Sequence, residues 1–166
     1  PEETIRAFRL GLEVHAGGDC VAIPVEGPDG AVASAKYRSV PPAERRIFRW
    51  RDTPSCLYHR PGRRVETAET VIVCEGELDV AALHAYGFEN VISGTTGAAG
   101  IWPDEWIQAL GTAEVLLALD ADEPGEGGAT RLAAQLGLHR CWRVRPPGGQ
   151  KDWGDCLAGG VLEVHV

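Results

Sequence analysis

The stretch 71-VIVCEGELDVAALHAYG-87 decides the reading of the chain. Val71 to Cys74 is a continuous apolar run of the kind buried on both faces of a parallel sheet. It stops at Glu75 and Gly76, and Glu77 and Asp79 follow at once. From Asp79 the apolar residues recur at helical spacing until Gly87 closes the segment. A buried strand that ends in a carboxylate and turns directly into a helix is half of a βα unit.

The same alternation continues outward. Asn90–Ser93 is a second strand, followed by the loop 94-GTTGAAG-100. Residues 103–111 open with proline and acids and close with glycine, the asymmetry of a helix. Glu114–Asp120 is a third strand, 127–137 a helix, and 140-RCWRVR-145 a short fourth strand. A Gly/Pro-rich loop then leads into 151-KDWGDCLAGG-160. Strands alternating with helices predict an α/β fold with a parallel, Rossmann-like sheet flanked by helices. In such sheets ligands collect beyond the carboxyl ends of the strands.

The first third reads differently. Residues 20–40 form two strands around a Gly-Pro-Asp-Gly turn, a hairpin signal. In 45-RRIFRWR-51 basic residues alternate with apolar and aromatic ones, as in a strand with a charged face. The turn 59-HRPGRR-64 sets a boundary, giving a small β-rich basic subdomain over 1–64 and an α/β domain over 65–166. The net charge of −8 conceals this division. Residues 1–64 hold eleven basic and eight acidic side chains, a net +3, and 65–166 hold five and sixteen, a net −11. Within 36–64 the balance is +7. A basic patch can hold phosphates, and an acidic cluster can hold divalent cations.

With 44% hydrophobic residues the chain can build a core. No apolar run approaches the roughly 18 residues of a membrane span, and the polar start is unlike a signal peptide. No membrane association is therefore expected. A start at Pro1 without methionine reads as a piece of a longer protein. The five cysteines form no CxxC pair, which argues against a zinc site and suits a reducing cytoplasm.

Three strand ends deliver acids to one predicted edge: Glu75 after the first, Asp120 and Asp122 after the third, and Asp152 and Asp155 after the fourth. A helix starting between Glu75 and Asp79 would project Asp79 to the same edge. Carboxylates gathered this way repel one another and are costly to desolvate. A divalent cation removes the conflict, and oxygen-only ligands suit Mg²⁺ or Mn²⁺. Any single acid also reads as a helix N-cap or first-turn residue, and Glu77 is taken as such. Residues 115-VLLALDAD-122 would suit a nucleotide-binding ATPase strand, but no G-x-x-x-x-G-K-[ST] accompanies them. The Asp-x-Asp of a phosphatase of the HAD type leaves Glu75 unexplained.

Glu75-Gly-x-x-Asp79 and Asp120-x-Asp122, each after an apolar strand, resemble the signature of the TOPRIM domain of primases, topoisomerases, OLD-type nucleases and RecR-type proteins. Residues 117-LALDADEPGEGGATRLAAQL-136 look like the primase version, and 151-KDWGDCL-157 resembles the third acidic motif, with Gly154 where asparagine is usual. The leader 22-AIPVEGPDG-30, Lys36-Tyr37 and Leu57-Tyr58 resemble the basic subdomain before TOPRIM in primases, with 36-KYR-38 and 48-FRW-50 closer to phage and plasmid primase–helicases than to DnaG-type enzymes. A RecR-type zinc motif is absent.

The resemblance implies RNA primer synthesis on a single-stranded DNA template in phage, plasmid or bacterial replication. It implies Mg²⁺ or Mn²⁺ at Glu75, Asp120 and Asp122, with Asp79 and Asp152 beside them. Glu75, Asp120 and Asp122 would be catalytic. Lys36, Arg38, Arg49, Gly97, Lys151 and Asp155 would meet template or ribonucleoside triphosphate. Arg45, Arg46 and Arg51 would extend the basic track, Phe48 or Trp50 could stack on a base, and Thr95, Thr96 and Gly97 could approach a phosphate through their amides. A replicative helicase, fused or separate, would be the partner. The rivals are a non-catalytic TOPRIM module that binds nucleic acid, and an OLD-type metal-dependent nuclease.

Overall fold

A computed structural model describes residues 2–15, 17–41, 44, 46–63, 65–97 and 100–161. The chain divides into two compact units, residues 1–56 and 57–166.

The first unit opens with a short helix, α1 (Glu2–Ala7), and continues as a four-stranded antiparallel sheet. Its strands are β1 (Gly11–His15), β2 (Gly18–Glu26), β3 (Val32–Ser39) and β4 (Ile47–Arg49), paired in that order. The hairpin read from the Gly-Pro-Asp-Gly turn is β2–β3, and the Asp29 carboxylate accepts the Ala31 amide at 3.1 Å to tighten that turn. The alternating segment forms β4, registered Lys36 to Arg49, Tyr37 to Phe48 and Arg38 to Ile47. Strand β1 is not foreseen from the sequence; Leu12 and Val14 on it are exposed. Tyr37, Cys20 and Ala35 form one small hydrophobic cluster of this unit, with Phe48 packed against it, and Phe8, Ile23 and Val25 are buried as well.

The second unit contains β5 (Leu57–His59), β6 (Thr70–Cys74), α2 (Glu77–Ala85), β7 (Val91–Gly94), α3 (Asp104–Ala109), β8 (Glu114–Ala118), α4 (Glu123–Leu136), β9 (Cys141–Arg143) and α5 (Trp153–Gly159). Its sheet has the order β5-β7-β6-β8-β9. Strands β6 to β9 are parallel, as the alternation predicts, but β5 pairs antiparallel with β7, so the sheet is mixed. This edge strand moves the division upstream of the expected boundary. Leu57 to His59 hydrogen-bond to β7 and so belong to the α/β unit, whereas Arg64, where the boundary was expected, lies outside the described residues.

Val71, Val73, Val115 and Leu117 alternate onto one sheet face and pack with Trp106 of α3, Leu110 just after it, and Ala129, Leu132 and Leu136 of α4. Each valine or leucine among them, fully buried, contributes about 1.5–3 kcal/mol. Helices α2 and α5 lean on each other, joined by a 3.1 Å hydrogen bond from the Tyr86 hydroxyl to the Cys156 carbonyl. Helix α4 begins at Glu123, four residues earlier than the Gly-Gly pair suggested, because Asp122 caps it and Pro124 suits a first turn. No helix among the described residues is long and apolar enough to cross a membrane.

Candidate metal and nucleotide site

The register of the parallel strands builds the site. Cys74 lies opposite Ala118, so Glu75 leaves β6 beside the point where β8 releases Leu119 and Asp120. Glu75 receives a hydrogen bond from the Asp120 amide, which ties the two strand ends together. Its Oε2 is buried and has no hydrogen-bond partner among the described residues. Gly76, the N-cap of α2, is where a side chain would meet Asp79: a Cβ there would sit 3.2 Å from Asp79 Oδ2. Its smallness therefore makes room for a carboxylate of the chain itself. Glu77 is a buried first-turn acid, as read.

Asp79 reaches across to the start of α5. Its Oδ1 accepts the backbone amides of Trp153 at 3.1 Å and Gly154 at 3.2 Å. Asp152 caps α5, accepting the Asp155 amide at 2.7 Å, and Asp155 is an exposed first-turn residue. Asp122 caps α4 through the Gly125 amide at 2.9 Å. Two of the five expected metal ligands thus also serve as helix caps, the alternative reading for single acids.

The electrostatics follow from this crowding. Burial, then repulsion from Asp120 and Asp122, holds Glu75 above its usual range. Burial, then Asp152, raises Asp120, while the Lys151 ammonium opposes the rise. Burial, then the charges of Asp152 and Asp120, pushes Asp79 up to about 7. Asp122 alone is lowered, by the Gly125 amide and Lys151. Behind them lies the fully buried thiol of Cys74, raised well above its ordinary value by burial and by Asp79 and Asp120.

Lys151 completes the cluster. Its Nζ lies 3.1 Å from Asp122 Oδ2 and 3.7 Å from Asp120 Oδ2. Its carbonyl accepts the Ala121 amide at 2.8 Å, so the backbone of this loop is fastened to the Asp-x-Asp turn.

The donor set is all carboxylate, with one buried orphan oxygen on Glu75, and in chemistry it fits a hard divalent cation. It is not a preformed cage. Among the described residues no three carboxylate, imidazole or thiol groups are placed to hold one ion. The expected trio shares an edge without closing on a point.

Arg143, which the sequence reading passed over, supports this edge from below. Its guanidinium donates to the carbonyls of Leu117 (3.0 Å), Leu119 (2.9 Å), Asp120 (2.8 Å) and Val144 (2.5 Å), and to Glu126 Oε1 (2.7 Å). Glu126 also accepts from Arg145, and the two arginines hold its carboxyl down to about 2. A basic residue at the end of a short strand carries no sequence signal for such a role. Gly97 lies with Glu75, Gly94 and Gly100 on a narrow cavity, and its amide donates to the Gly94 carbonyl at 3.3 Å. Thr95, beside it, is buried.

The basic residues belong to the first unit. Lys36 and Arg38 alternate onto the face of β3 opposite Tyr37. Arg49 donates to Thr53 and to Ser55 Oγ, fastening the turn after β4. Arg46 pairs with Glu44, Arg51 is exposed, and Arg45 lies outside the described residues. Phe48 packs in the small core and meets the His15 ring edge-on, so it is a packing residue. Trp50 is 46% exposed and donates its indole N–H to the Tyr37 hydroxyl at 3.1 Å.

The sheet order and the strand-end acids lead to the comparison with known proteins. Residues 69–145 match the Toprim domain family. Residues 69–145 are a Toprim domain. The chain is 30% identical over 142 residues to the Twinkle homolog protein, chloroplastic/mitochondrial, of Arabidopsis thaliana, covering 74% of this chain and 19% of that protein. It is 31% identical over 130 residues to a DNA primase of Helicobacter pylori, covering 71% of this chain and 22% of that one. Among solved structures, the primase fragment of the bacteriophage T7 primase-helicase protein superposes with a TM-score of 0.71 at 18% identity, over 96% of this chain and 66% of that chain. The chain therefore spans only part of these relatives, and its fold is similar to that of the T7 primase fragment. Both units take part in the likeness, since a match over 96% of the chain includes the antiparallel sheet that precedes the Toprim domain.

Proposed function

We propose that this chain is the catalytic core of a DNA primase and makes RNA primers on single-stranded DNA. The observation that carries the reading is the shared edge of β6 and β8. Glu75, Asp79, Asp120, Asp122 and Asp152 come together there; burial and then neighbouring charge raise Glu75, Asp79 and Asp120, and a buried carboxylate oxygen of Glu75 has no hydrogen-bond partner among the described residues. Relatives named DNA primase support it.

Mg²⁺ or Mn²⁺, when bound by Glu75, Asp120 and Asp122 with Asp79 and Asp152 alongside, supplies neutralisation of the nucleotide phosphates and of the charge developing at the reacting ribose 3′-oxygen. The chain's own residues do the remainder. Asp79 fixes the start of α5, and through it Asp152, by accepting two backbone amides. Arg143 fixes the Leu119 and Asp120 carbonyls at the start of the Asp-x-Asp turn. Lys36 and Arg38 hold phosphates of the template or nucleotide, and Arg49, Gly97, Lys151 and Asp155 add to substrate binding. A replicative helicase, fused or separate, is the partner, and five cysteines outside any disulfide suit a reducing compartment.

One observation favours a second reading, a non-catalytic module that binds nucleic acid. No three groups among the described residues stand ready to hold an ion. Incubation with a single-stranded template, ribonucleoside triphosphates and Mg²⁺ or Mn²⁺ separates the readings. Short RNA products support primase; no product supports the binding module; a shortened template means a nuclease.

A further inference from the structure

The ammonium of Lys151 occupies a particular place. It bridges Asp120 and Asp122, the two acids of the Asp-x-Asp turn, at 3.7 and 3.1 Å. The placement is fixed from the backbone, because the Lys151 carbonyl accepts the Ala121 amide between those two acids. The following residue, Asp152, is held as the cap of α5. Lys151 is thus anchored on both sides and aimed at the turn, although its side chain is 52% exposed.

Uncompensated, the carboxylates on this edge would repel strongly at short range. Glu75, Asp120 and Asp122 act on one another, and Lys151 is the cation acting on all three. A divalent ion using Asp120 and Asp122 would meet the ammonium in the same space. Two cations cannot share that seat without repulsion. No three carboxylates close on a point here, and two of the candidates already grip an ammonium.

We infer that Lys151 is a resident counter-cation of the Asp120–Asp122 pair, which keeps the acidic edge folded without metal and is displaced when a divalent cation binds. The inference rests on the metal-binding part of the reading above. It makes Lys151 a competitor of the ion before it can be a ligand for substrate.

The test measures Mn²⁺ binding to the chain without nucleotide or template, by electron paramagnetic resonance of free Mn²⁺, for wild type, Lys151→Met, Lys151→Arg and Asp120→Asn. Removing a unit charge this close to the seat should tighten Mn²⁺ binding by roughly fivefold to tenfold in Lys151→Met. Lys151→Arg, which keeps the charge, should stay near wild type. In EDTA the Tm of Lys151→Met should fall below wild type, and saturating Mn²⁺ should close the gap. Unchanged or weaker Mn²⁺ binding in Lys151→Met overturns the counter-cation role while Asp120→Asn still loses binding. Equal binding in Asp120→Asn and wild type overturns the metal reading itself.

A second measurement needs no variant. The chain has two lysines, Lys36 and Lys151. In ¹³C-lysine-labelled protein, Mg²⁺ should move the ε-methylene signal of Lys151 and leave that of Lys36 in place. Two stationary signals at saturating Mg²⁺ would refute displacement.

Discussion

Asp79→Asn probes the electrostatics of the edge most sharply. The Asp79 carboxyl is raised from an ordinary 3.8 to about 7, first by burial and then by Asp152 and Asp120. Its Oδ1 accepts two backbone amides that an asparagine oxygen can equally accept. The substitution therefore removes charge while keeping both amide contacts at the start of α5. A raised carboxyl means that the folded state holds a proton which the unfolded chain has already released. Stability is lost as pH rises from about 4 to about 7. At 1.36 kcal/mol per pH unit the full cost above that window is about 4 kcal/mol. In EDTA, Asp79→Asn should be more stable than wild type by up to that amount at pH 8, and the gap should shrink steadily toward pH 4. Urea unfolding followed by tryptophan fluorescence across the pH series measures it. Mg²⁺ should narrow the gap, since a cation relieves the same repulsion. An asparagine variant less stable than wild type at pH 8, or a difference that ignores pH, would refute the argument.

Three further outcomes are expected. Gly125→Ala should destabilise the α/β unit by about 1–3 kcal/mol in thermal melts and weaken Mn²⁺ binding, because the new Cβ would fall on the Asp120 carbonyl and spoil the cap at Asp122. Arg143→Ala should cost about 2–4 kcal/mol by urea titration, since it strands the Leu119 and Asp120 carbonyls, and should slow any activity of the edge even where folding is retained. Lys36→Ala and Arg38→Ala should each weaken single-stranded DNA binding and reduce the salt slope by about one, with fluorescence anisotropy as the readout.

The parts of this structure that follow from local periodicity were legible in the sequence. Val71–Cys74 and Val115–Leu119 announce buried parallel strands, and the Gly-Pro-Asp-Gly turn announces β2–β3. The strand-end rule then points Glu75, Asp120 and Asp122 to one edge from the sequence alone. What escaped depends on tertiary context. Strand β5 is only Leu57–His59, and three residues show no period. The grip of Arg143 on three carbonyls of β8 and its following turn exists only because β9 lies beside β8. Lys151 reads in sequence as a cation available to substrate, yet it is already paired. Asp122 and Asp152 each hold a cap and a place in the cluster, and the sequence offers these roles as alternatives. They coexist because a helix that starts at a strand end puts its N-cap at the sheet edge.

The most direct test of the account compares primer synthesis by wild type and Asp120→Asn on the same single-stranded template, with ribonucleoside triphosphates and with Mg²⁺, Mn²⁺ or EDTA. The substitution changes charge and not shape, and far-UV circular dichroism should be the same for both. Wild type should make short RNA only with a divalent cation, and Asp120→Asn should lose roughly a hundredfold or more of that rate. Primer synthesis that survives in a folded Asp120→Asn, or that proceeds in EDTA, would contradict the claim that this edge is the catalytic centre.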